Sequence, residues 1–178
     1  MLNRRIIGVT AVVTAVLLGA YLYTQQAGSD TLKETQNIKQ LVQDYSRGSL
    51  KAQAASITPR QLIVTTNDKS KVAYDLPKEE FFVSIAPYLN NTHPCATHSL
   101  TSCQGELTNQ SFHVYIEDAK GKVVVDQTMK SEANGFIDLW LPRDKTYSIT
   151  VKHNGKTVKS ELSTFETDNT CISTLQLM

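Results

Sequence analysis

The sequence predicts a mainly β domain, an antiparallel β-sandwich preceded by a short helical element. From residue 61 onward, apolar and polar residues alternate in short segments rich in β-branched side chains, as in half-buried strands. Turn-forming residues separate these segments, and the Asn154-Gly155 pair is typical of a two-residue hairpin turn. Between residues 31 and 58, by contrast, apolar residues recur with helical spacing. The 178 residues suffice for one such domain with its own core.

An uncharged, largely apolar segment follows Arg4 and Arg5 and covers residues 6–23. At about 1.5 Å per residue, a helix of this length would just cross the hydrocarbon core of a bilayer. The arginines would stay in the cytoplasm, which places the rest of the chain outside. A cleaved signal peptide is the alternative, but bulky Tyr21 stands where a cleavage site needs a small residue, which favours an uncleaved anchor. Residues 1–30 are therefore predicted to be an anchor or signal segment with a polar linker.

The following domain, residues 31–178, is predicted to be helical over 31–58 and rich in β-strands over 59–178. Four apolar residues have the spacing of one helical face: Ile38, Leu41, Val42 and Tyr45. Gly48 follows them and suits the left-handed conformation that commonly ends a helix. A second, shorter helix is predicted over residues 50–55.

Short strands make up the rest of the predicted domain. They are residues 61–66, 80–87, 111–118, 122–129, 135–142, 146–153, 156–165 and 171–177. This number of short strands with regular turns is typical of an antiparallel sandwich. In the last strand, Cys171 alternates in phase with Leu175 and Leu177, so it is predicted to face the core.

Composition argues against several classes of function. Lys and Arg together number 18 and Asp and Glu together 17, so the chain has no basic surplus for binding nucleic acid. The sequence contains neither the glycine-rich motifs that bind nucleotide phosphates nor a G-x-S-x-G motif. No pair of carboxylates stands out as a general acid and base. We therefore assign no catalytic residue from the sequence.

The three cysteines are the most informative residues of the chain. Cys95 and Cys103 lie with two histidines in the segment HPCATHSLTSC, residues 93–103, and Cys171 opens the last predicted strand. Their spacing differs from that of zinc ribbons and of redox-active C-x-x-C motifs. Soft thiolates with an occasional imidazole instead suit Cu(I), which accepts two or three ligands. A copper site at these cysteines, with one ion per chain, is therefore one of two hypotheses that the residues leave open, and a disulfide is the other.

The four histidines differ in their expected roles. His98 lies between the two cysteines of the segment and is a candidate ligand, although a surface position fits the sequence equally well. His93 is the weaker candidate. His113 and His153 alternate outward on predicted strands and are expected to face solvent.

A disulfide is the alternative fate of these thiols. Domains outside the cytoplasm commonly form disulfides, and three cysteines would give one bridge and one free thiol. Cys95 and Cys103 lie in one loop, where they can approach or separate easily, whereas Cys171 is fixed at the start of a strand. We expect oxidation to join two of the three, with Cys103 in the pair, and to abolish Cu(I) binding.

Three blocks of sequence occur in order: EFFVSIAPYLNNTHPCATHSLTSCQGEL, NGFIDLWLPRD and TCISTLQL. They resemble the CueP family of periplasmic copper-binding proteins, and the resemblance extends from about residue 31 to the C-terminus. It implies copper binding through Cys95, Cys103 and Cys171, copper tolerance, and delivery of copper to an envelope enzyme such as a superoxide dismutase. It also implies reduction of Cu(II) to Cu(I) by thiol electrons, as a stoichiometric reaction.

Two other functions stay open at the level of sequence. One is a thiol–disulfide redox protein, for which the C-x₇-C spacing is a poor motif because no helix is predicted to begin after the first cysteine. The other is an interaction sandwich outside the cytoplasm with a structural disulfide. A count of free thiols with and without Cu(I) separates these hypotheses from copper binding.

Overall fold

The structure, a computed structural model, describes residues 37–178. The chain divides after Lys39, and apart from residues 37–39 the fold described below is that of the unit Gln40–Met178. The predicted membrane segment, residues 6–23, and the predicted start of the first helix lie outside the described residues. Within residues 37–178, no helix has the length and apolar character that a membrane crossing requires.

A helix, α1, covers residues 37–46 and ends as predicted at Gly48. The Gly48 N–H donates to the carbonyl of Tyr45, at 3.1 Å, and Gly48 has a φ of 73°, which costs glycine little. The predicted second helix over residues 50–55 is wrong, because strand β1 begins at Ala54. Pairing with a neighbouring strand has decided the conformation of this short segment.

Eleven strands are found among the described residues. They are β1 Ala54–Ile57, β2 Gln61–Thr65, β3 Lys71–Asp75, β4 Glu80–Ile85, β5 His98–Ser99, β6 Ser111–Asp118, β7 Val123–Lys130, β8 Ile137–Pro142, β9 Thr146–His153, β10 Lys156–Ser163 and β11 Cys171–Ile172. The mainly β prediction is confirmed, and the Asn154-Gly155 turn joins β9 to β10 with both residues at positive φ. Strands β1, β3 and β5 were not predicted, and the last strand is shorter than predicted.

The strands form three sheets. Sheet 1 has the order β3-β2-β1-β5, sheet 2 the order β10-β9-β6-β7, and sheet 3 the order β11-β4-β8. Pairing is antiparallel within sheets 1 and 2, whereas β11 runs parallel to β4 in sheet 3.

Sheets 2 and 3 contribute the main hydrophobic core. Alternate residues of β4, β8, β6 and β9 form it: Phe81, Val83, Ile85, Ile137, Leu139, Leu141, Phe112, Val114, Ile116, Tyr147, Ile149 and Val151. Because successive side chains of a strand point to opposite faces, the residues between them lie on the other side of each sheet. This arrangement is the predicted sandwich.

The second face of sheet 3 positions Cys171. Phe82 and Trp140 meet there edge to face, with ring centroids 5.3 Å apart. Cys171 is in register with Ser84 of β4 and is buried, as predicted. It packs in a small cluster with Phe136, away from the main core that holds Leu175 and Leu177, because the strand ends before the predicted alternation continues.

Candidate metal centre

Backbone hydrogen bonds fasten the cysteine–histidine segment, residues 93–103, onto the last strand. The N–H groups of Thr170 and Cys171 both donate to the carbonyl of Ala96, at 3.0 and 3.2 Å. The N–H of His98 donates in turn to Thr170 Oγ1, at 3.0 Å. Residues that are distant in sequence are therefore held side by side by the main chain.

Four of the five predicted ligand residues come together. One donor atom from each of Cys95, His98, Cys103 and Cys171 lies within 4.8 Å of the others. His98 and Cys171 are buried, whereas Cys95 and Cys103 are partly exposed. One side of the cluster therefore faces the interior, and the other side is accessible from solvent.

His93, the fifth predicted ligand, is not a member of this four-residue cluster. Its half-buried ring lies 6.4 Å from the ring of Phe136, centroid to centroid. It still acts on the cluster electrostatically, since it contributes to the lowered pKa of His98.

Two of the three cysteines form a disulfide. Cys95 and Cys171 are joined, with their Cα atoms 5.5 Å apart, and Cys103 is free. The Cys103 sulfur lies 3.5 Å from the Cys95 sulfur and accepts a hydrogen bond from the N–H of Ser99, at 3.3 Å. The prediction that Cys103 belongs to the oxidised pair is therefore wrong. Cys171 is 76 positions from Cys95 in the sequence, but the pairing of β11 with β4 places the two residues close enough to bond.

His98 is fully buried, and neither of its ring nitrogens has a hydrogen-bond partner within the described part of the chain. Its ring lies 4.6 Å from that of Phe136 and 6.1 Å from that of Phe82, centroid to centroid. Burial, with a smaller contribution from His93, lowers the pKa of His98 to about 4. The imidazole is thus neutral at ordinary pH and keeps a lone pair available for a metal ion.

The expectation that His153 faces solvent is wrong. Its ring is buried against Phe112, with centroids 4.8 Å apart. Its Nδ1–H donates to the carbonyl of Ser111, at 2.8 Å, and its Nε2 accepts from the amide of Asn154, at 3.0 Å. His153 is the last residue of β9 and alternates in phase with buried Tyr147, Ile149 and Val151, so its side chain lies on the core face of the strand. His113 is partly exposed, with Nε2 3.0 Å from a carboxylate oxygen of Asp126.

A close approach of two glycines supports the cluster, and the sequence did not single it out. The Gly105 N–H donates to the carbonyl of Asn134, at 2.7 Å. A Cβ on Gly135 would lie 2.6 Å from the carbonyl oxygen of Gly105, so the two loops can only meet without side chains. The loops carry Cys103 and Phe136, and the contact therefore sets the spacing between the free thiol and the ring beside His98.

Glu106 holds the chain that leads into the cysteine–histidine segment. Its carboxylate accepts hydrogen bonds from the N–H groups of Leu89 and Asn90, at 2.5 and 3.0 Å. These backbone hydrogen bonds, that of Asn90 foremost, lower the pKa of Glu106. The sequence offered only an isolated acidic residue here, since its partners are main-chain groups.

A model of the CueP family, described as "Periplasmic copper-binding protein CueP", matches residues 36–176. The chain belongs to the CueP family. A crystal structure described as "Crystal Structure of S.CueP" is 36% identical in sequence and superposes with a TM-score of 0.74, covering 79% of this chain and 88% of that one. A comparison with curated protein sequences gave no significant match.

Membership of the CueP family confirms the resemblance that the sequence showed. The family is one of periplasmic copper-binding proteins, which supports both copper as the ligand and a location outside the cytoplasm. Within the described residues, the four-residue cluster has donor types that suit copper, namely sulfur and imidazole nitrogen.

Proposed function

We propose that the reduced chain binds one Cu(I) ion between the sulfurs of Cys95, Cys103 and Cys171, with the imidazole of His98 as a further ligand. The observation that carries this proposal is the convergence of the four donor atoms within 4.8 Å of one another. Thiolates are the soft ligands that Cu(I) prefers, and the donor set contains no carboxylate that would favour a harder ion.

The surroundings of His98 support its role as a ligand. A buried polar group without a partner costs about 1–3 kcal/mol, so fully buried nitrogens are normally hydrogen-bonded. Both His98 nitrogens lack such a partner among the described residues, although three sulfurs lie close by. A metal ion held by these sulfurs would give one nitrogen the partner that the protein does not supply.

The disulfide supports a second part of the proposal, the reduction of Cu(II). The thiolates of Cys95 and Cys171 each give one electron, two Cu(II) ions become two Cu(I) ions, and one sulfur–sulfur bond forms. Cys103 and His98 are left to hold one Cu(I), which replaces the expectation that oxidation abolishes Cu(I) binding, and the second ion leaves the site. Cys103 is the free thiol in the structure, which is the division of roles that this reaction requires.

The exposure of the cluster favours passing copper on. Cys95 and Cys103 are partly exposed, so a thiolate or imidazole of a recipient can reach an ion on that side and replace one ligand at a time. We propose copper tolerance and delivery to an envelope copper enzyme, such as a superoxide dismutase, as the role in the cell. A mixture of the copper-loaded chain and a copper-free recipient tests transfer directly, since retained copper in the chain would contradict it.

Equilibrium competition with a Cu(I) chelator tests the binding site. We expect the reduced full chain to bind one Cu(I) with a dissociation constant well below the micromolar range. A Cys95→Ser, Cys103→Ser, Cys171→Ser triple variant should lose this affinity, and the His113→Ala variant, altered at a histidine outside the cluster, should keep it. Unchanged affinity in the triple variant would refute the proposal.

Anaerobic addition of Cu(II) to the reduced chain tests the redox step. Two thiols should disappear for every two Cu(I) ions formed, and peptide mapping should find Cys103 as the thiol that is still alkylated. Loss of Cys103 in place of Cys171 would contradict the assignment of roles.

A purely structural disulfide is the second candidate function, which the Cys95–Cys171 bond itself favours. It predicts that the reduced chain unfolds or binds no copper. Circular dichroism of the reduced chain, recorded beside the copper competition, distinguishes the two functions.

A further inference from the structure

Thr170 is buried and makes hydrogen bonds to three different parts of the domain. Its N–H donates to the carbonyl of Ala96, at 3.0 Å, and its carbonyl accepts from the N–H of Ser84, at 2.9 Å. Its hydroxyl oxygen accepts from the N–H of His98, at 3.0 Å, and donates to the carbonyl of Ile57, at 2.6 Å. Thr170 therefore joins β1 of sheet 1, β4 of sheet 3 and the cysteine–histidine segment.

The hydroxyl group lies at the end of the ladder between β1 and β5. The N–H of Leu100 donates to the carbonyl of Ala55, at 2.8 Å, and the register pairs Ile57 with His98. Because hydrogen-bonded and non-hydrogen-bonded pairs alternate along an antiparallel ladder, the main-chain groups of Ile57 and His98 face each other. The Thr170 hydroxyl bonds to one main-chain group of each residue. It therefore sets where the main chain of His98 lies at this end of the ladder.

The position of Thr170 in the chain connects this hydroxyl to the cluster. Thr170 directly precedes Cys171, which with His98 makes up the buried side of the cluster. The nitrogens of the His98 ring have no hydrogen bond within the described chain, and the ring packs against Phe136 and Phe82. The polar restraint on His98 is thus the hydrogen bond from its main chain to Thr170.

We propose that Thr170 is a positioning residue of the copper site: its hydroxyl group places the imidazole of His98 within reach of an ion bound to the sulfur of Cys171. This inference rests on the proposed function, because it takes His98 as a ligand. The Thr170 oxygen is already engaged in two hydrogen bonds, so Thr170 acts through His98 and not on the ion. Residues that orient metal ligands in this way commonly change metal affinity by about 10–100-fold when they are replaced.

The position requires a group that donates and accepts at once, which a hydroxyl does. Valine has nearly the shape of threonine but neither donates nor accepts through its side chain. Serine keeps the hydroxyl and loses the methyl group. Thr170→Val and Thr170→Ser therefore separate the effect of the hydrogen bonds from that of packing.

Cu(I) competition with the reduced full chain tests the proposal. Thr170→Val should weaken Cu(I) binding by about 10-fold, the same loss as His98→Ala, whereas Thr170→Ser should stay within about 3-fold of the wild type. The combined Thr170→Val, His98→Ala variant should bind no more weakly than His98→Ala alone, because the two residues act as one unit. Losses that add up in the combined variant would overturn the proposal.

Thr164 offers a matched control. It is buried, its hydroxyl donates to the carbonyl of Pro142, at 3.0 Å, and accepts from the N–H of Lys145, at 3.1 Å. Thr164→Val removes hydrogen bonds of the same kind outside the cluster and should leave Cu(I) affinity unchanged. An equal loss in the Thr164 and Thr170 variants would show that copper affinity follows the general stability of the fold, and would overturn the proposal.

X-ray absorption of the Cu(I)-loaded chain gives an independent measurement. The scattering of an imidazole ligand should be present in the wild type and in Thr170→Ser, and weak or absent in Thr170→Val and His98→Ala. Circular dichroism checks the fold of each variant, and Thr170→Ala replaces Thr170→Val if the latter does not fold. Failure of both to fold would assign Thr170 a structural role and overturn the proposal.

The outcomes separate this inference from the proposed function. Unchanged affinity in Thr170→Val, beside the expected loss in the triple cysteine variant, would overturn the role of Thr170 and leave the copper site in place. Unchanged affinity in the triple cysteine variant would instead refute the proposed function itself.

Discussion

His98 and His153 have similar surroundings but different partners. Each is buried against a phenylalanine ring, with ring centroids 4.6 Å apart for His98 and Phe136 and 4.8 Å apart for His153 and Phe112. Both nitrogens of His153 are hydrogen-bonded within the protein, whereas neither nitrogen of His98 is, among the described residues. Only His98 lies among sulfurs.

The difference teaches what marks a binding residue in this fold. Burial and aromatic contact are common to both histidines, so neither property separates a structural side chain from a ligand. The incomplete hydrogen bonding of His98 does separate them, because a fold that needs an imidazole only for packing also supplies its partners. The protein supplies hydrogen-bond partners for both nitrogens of His153, whereas the nitrogens of His98 still need a partner such as a metal ion.

Copper affinity should distinguish the two regions most strongly. Cys103→Ser should weaken Cu(I) binding by at least about 100-fold. Mutating residues that only hold metal ligands in place costs up to about 100-fold, and the loss of a ligand should cost at least as much. His98→Ala should cost less, about 10-fold, because a thiolate is the softer and charged ligand. His153→Ala is the matched control and should leave affinity unchanged in a chelator competition. Equal losses of Cu(I) affinity in His98→Ala and His153→Ala would contradict the proposed difference between the two histidines.

Acid should destabilise the disulfide-bonded, copper-free chain through His98. The folded pKa of His98 is about 4, whereas an ordinary histidine titrates near 6.5, so between these values the unfolded chain binds the additional proton. The free energy of unfolding should therefore fall as pH drops from about 6.5 to about 4, by up to about 3 kcal/mol. Urea titrations across this range should show a flatter dependence for His98→Leu. An unchanged slope would mean that the imidazole is more hydrated than the structure indicates.

Stability at neutral pH sharpens the comparison from the opposite direction. His153→Leu should destabilise the chain by about 1–3 kcal/mol, because it removes two hydrogen bonds, one to the carbonyl of Ser111 and one from the amide of Asn154. His98→Leu should change the stability of the copper-free chain by less than about 0.5 kcal/mol or raise it, since no hydrogen bond within the described chain is lost. Urea unfolding at neutral pH measures both. A larger loss for His98→Leu would assign that residue a structural role.

Glu106→Gln should have the smallest effect. The substitution keeps one oxygen acceptor for the N–H groups of Leu89 and Asn90 but removes the charge, so we expect less than about a 3-fold loss of copper affinity. The wild-type carboxyl has a lowered pKa and loses its charge only in acid, so the wild type and the variant should converge at low pH. A loss as large as that of His98→Ala would show that this turn positions the ligands directly.

Much of the fold was predictable because long strands of sheets 2 and 3 alternate clearly. Strand β6, for example, buries Phe112, Val114 and Ile116 at every second position. Two of the three missed strands lack this signal. Strand β3 is exposed throughout, and β5 has only two residues.

The types of the site residues were predictable, but their pairing was not. Thiolate and imidazole side chains indicate a site for a soft metal ion by their chemistry alone. The disulfide partner of Cys95 depends on the parallel pairing of β11 with β4, which brings in a residue 76 positions away. The burial of His153, by contrast, was predictable, because His153 alternates in phase with the buried Ile149 and Val151 of β9.

The one tryptophan of the chain has a consequence for spectroscopy. Trp140 meets Phe82 edge to face, and the ring of Phe82 lies 6.1 Å from that of His98. The indole of Trp140 is thus the only tryptophan fluorophore of the chain. The rings of Phe82 and His98 connect it to the cysteines of the cluster. Copper binding should quench the tryptophan emission. Occupancy of the site can therefore be followed by fluorescence in the unlabelled chain, on the millisecond timescale of a stopped-flow mixer.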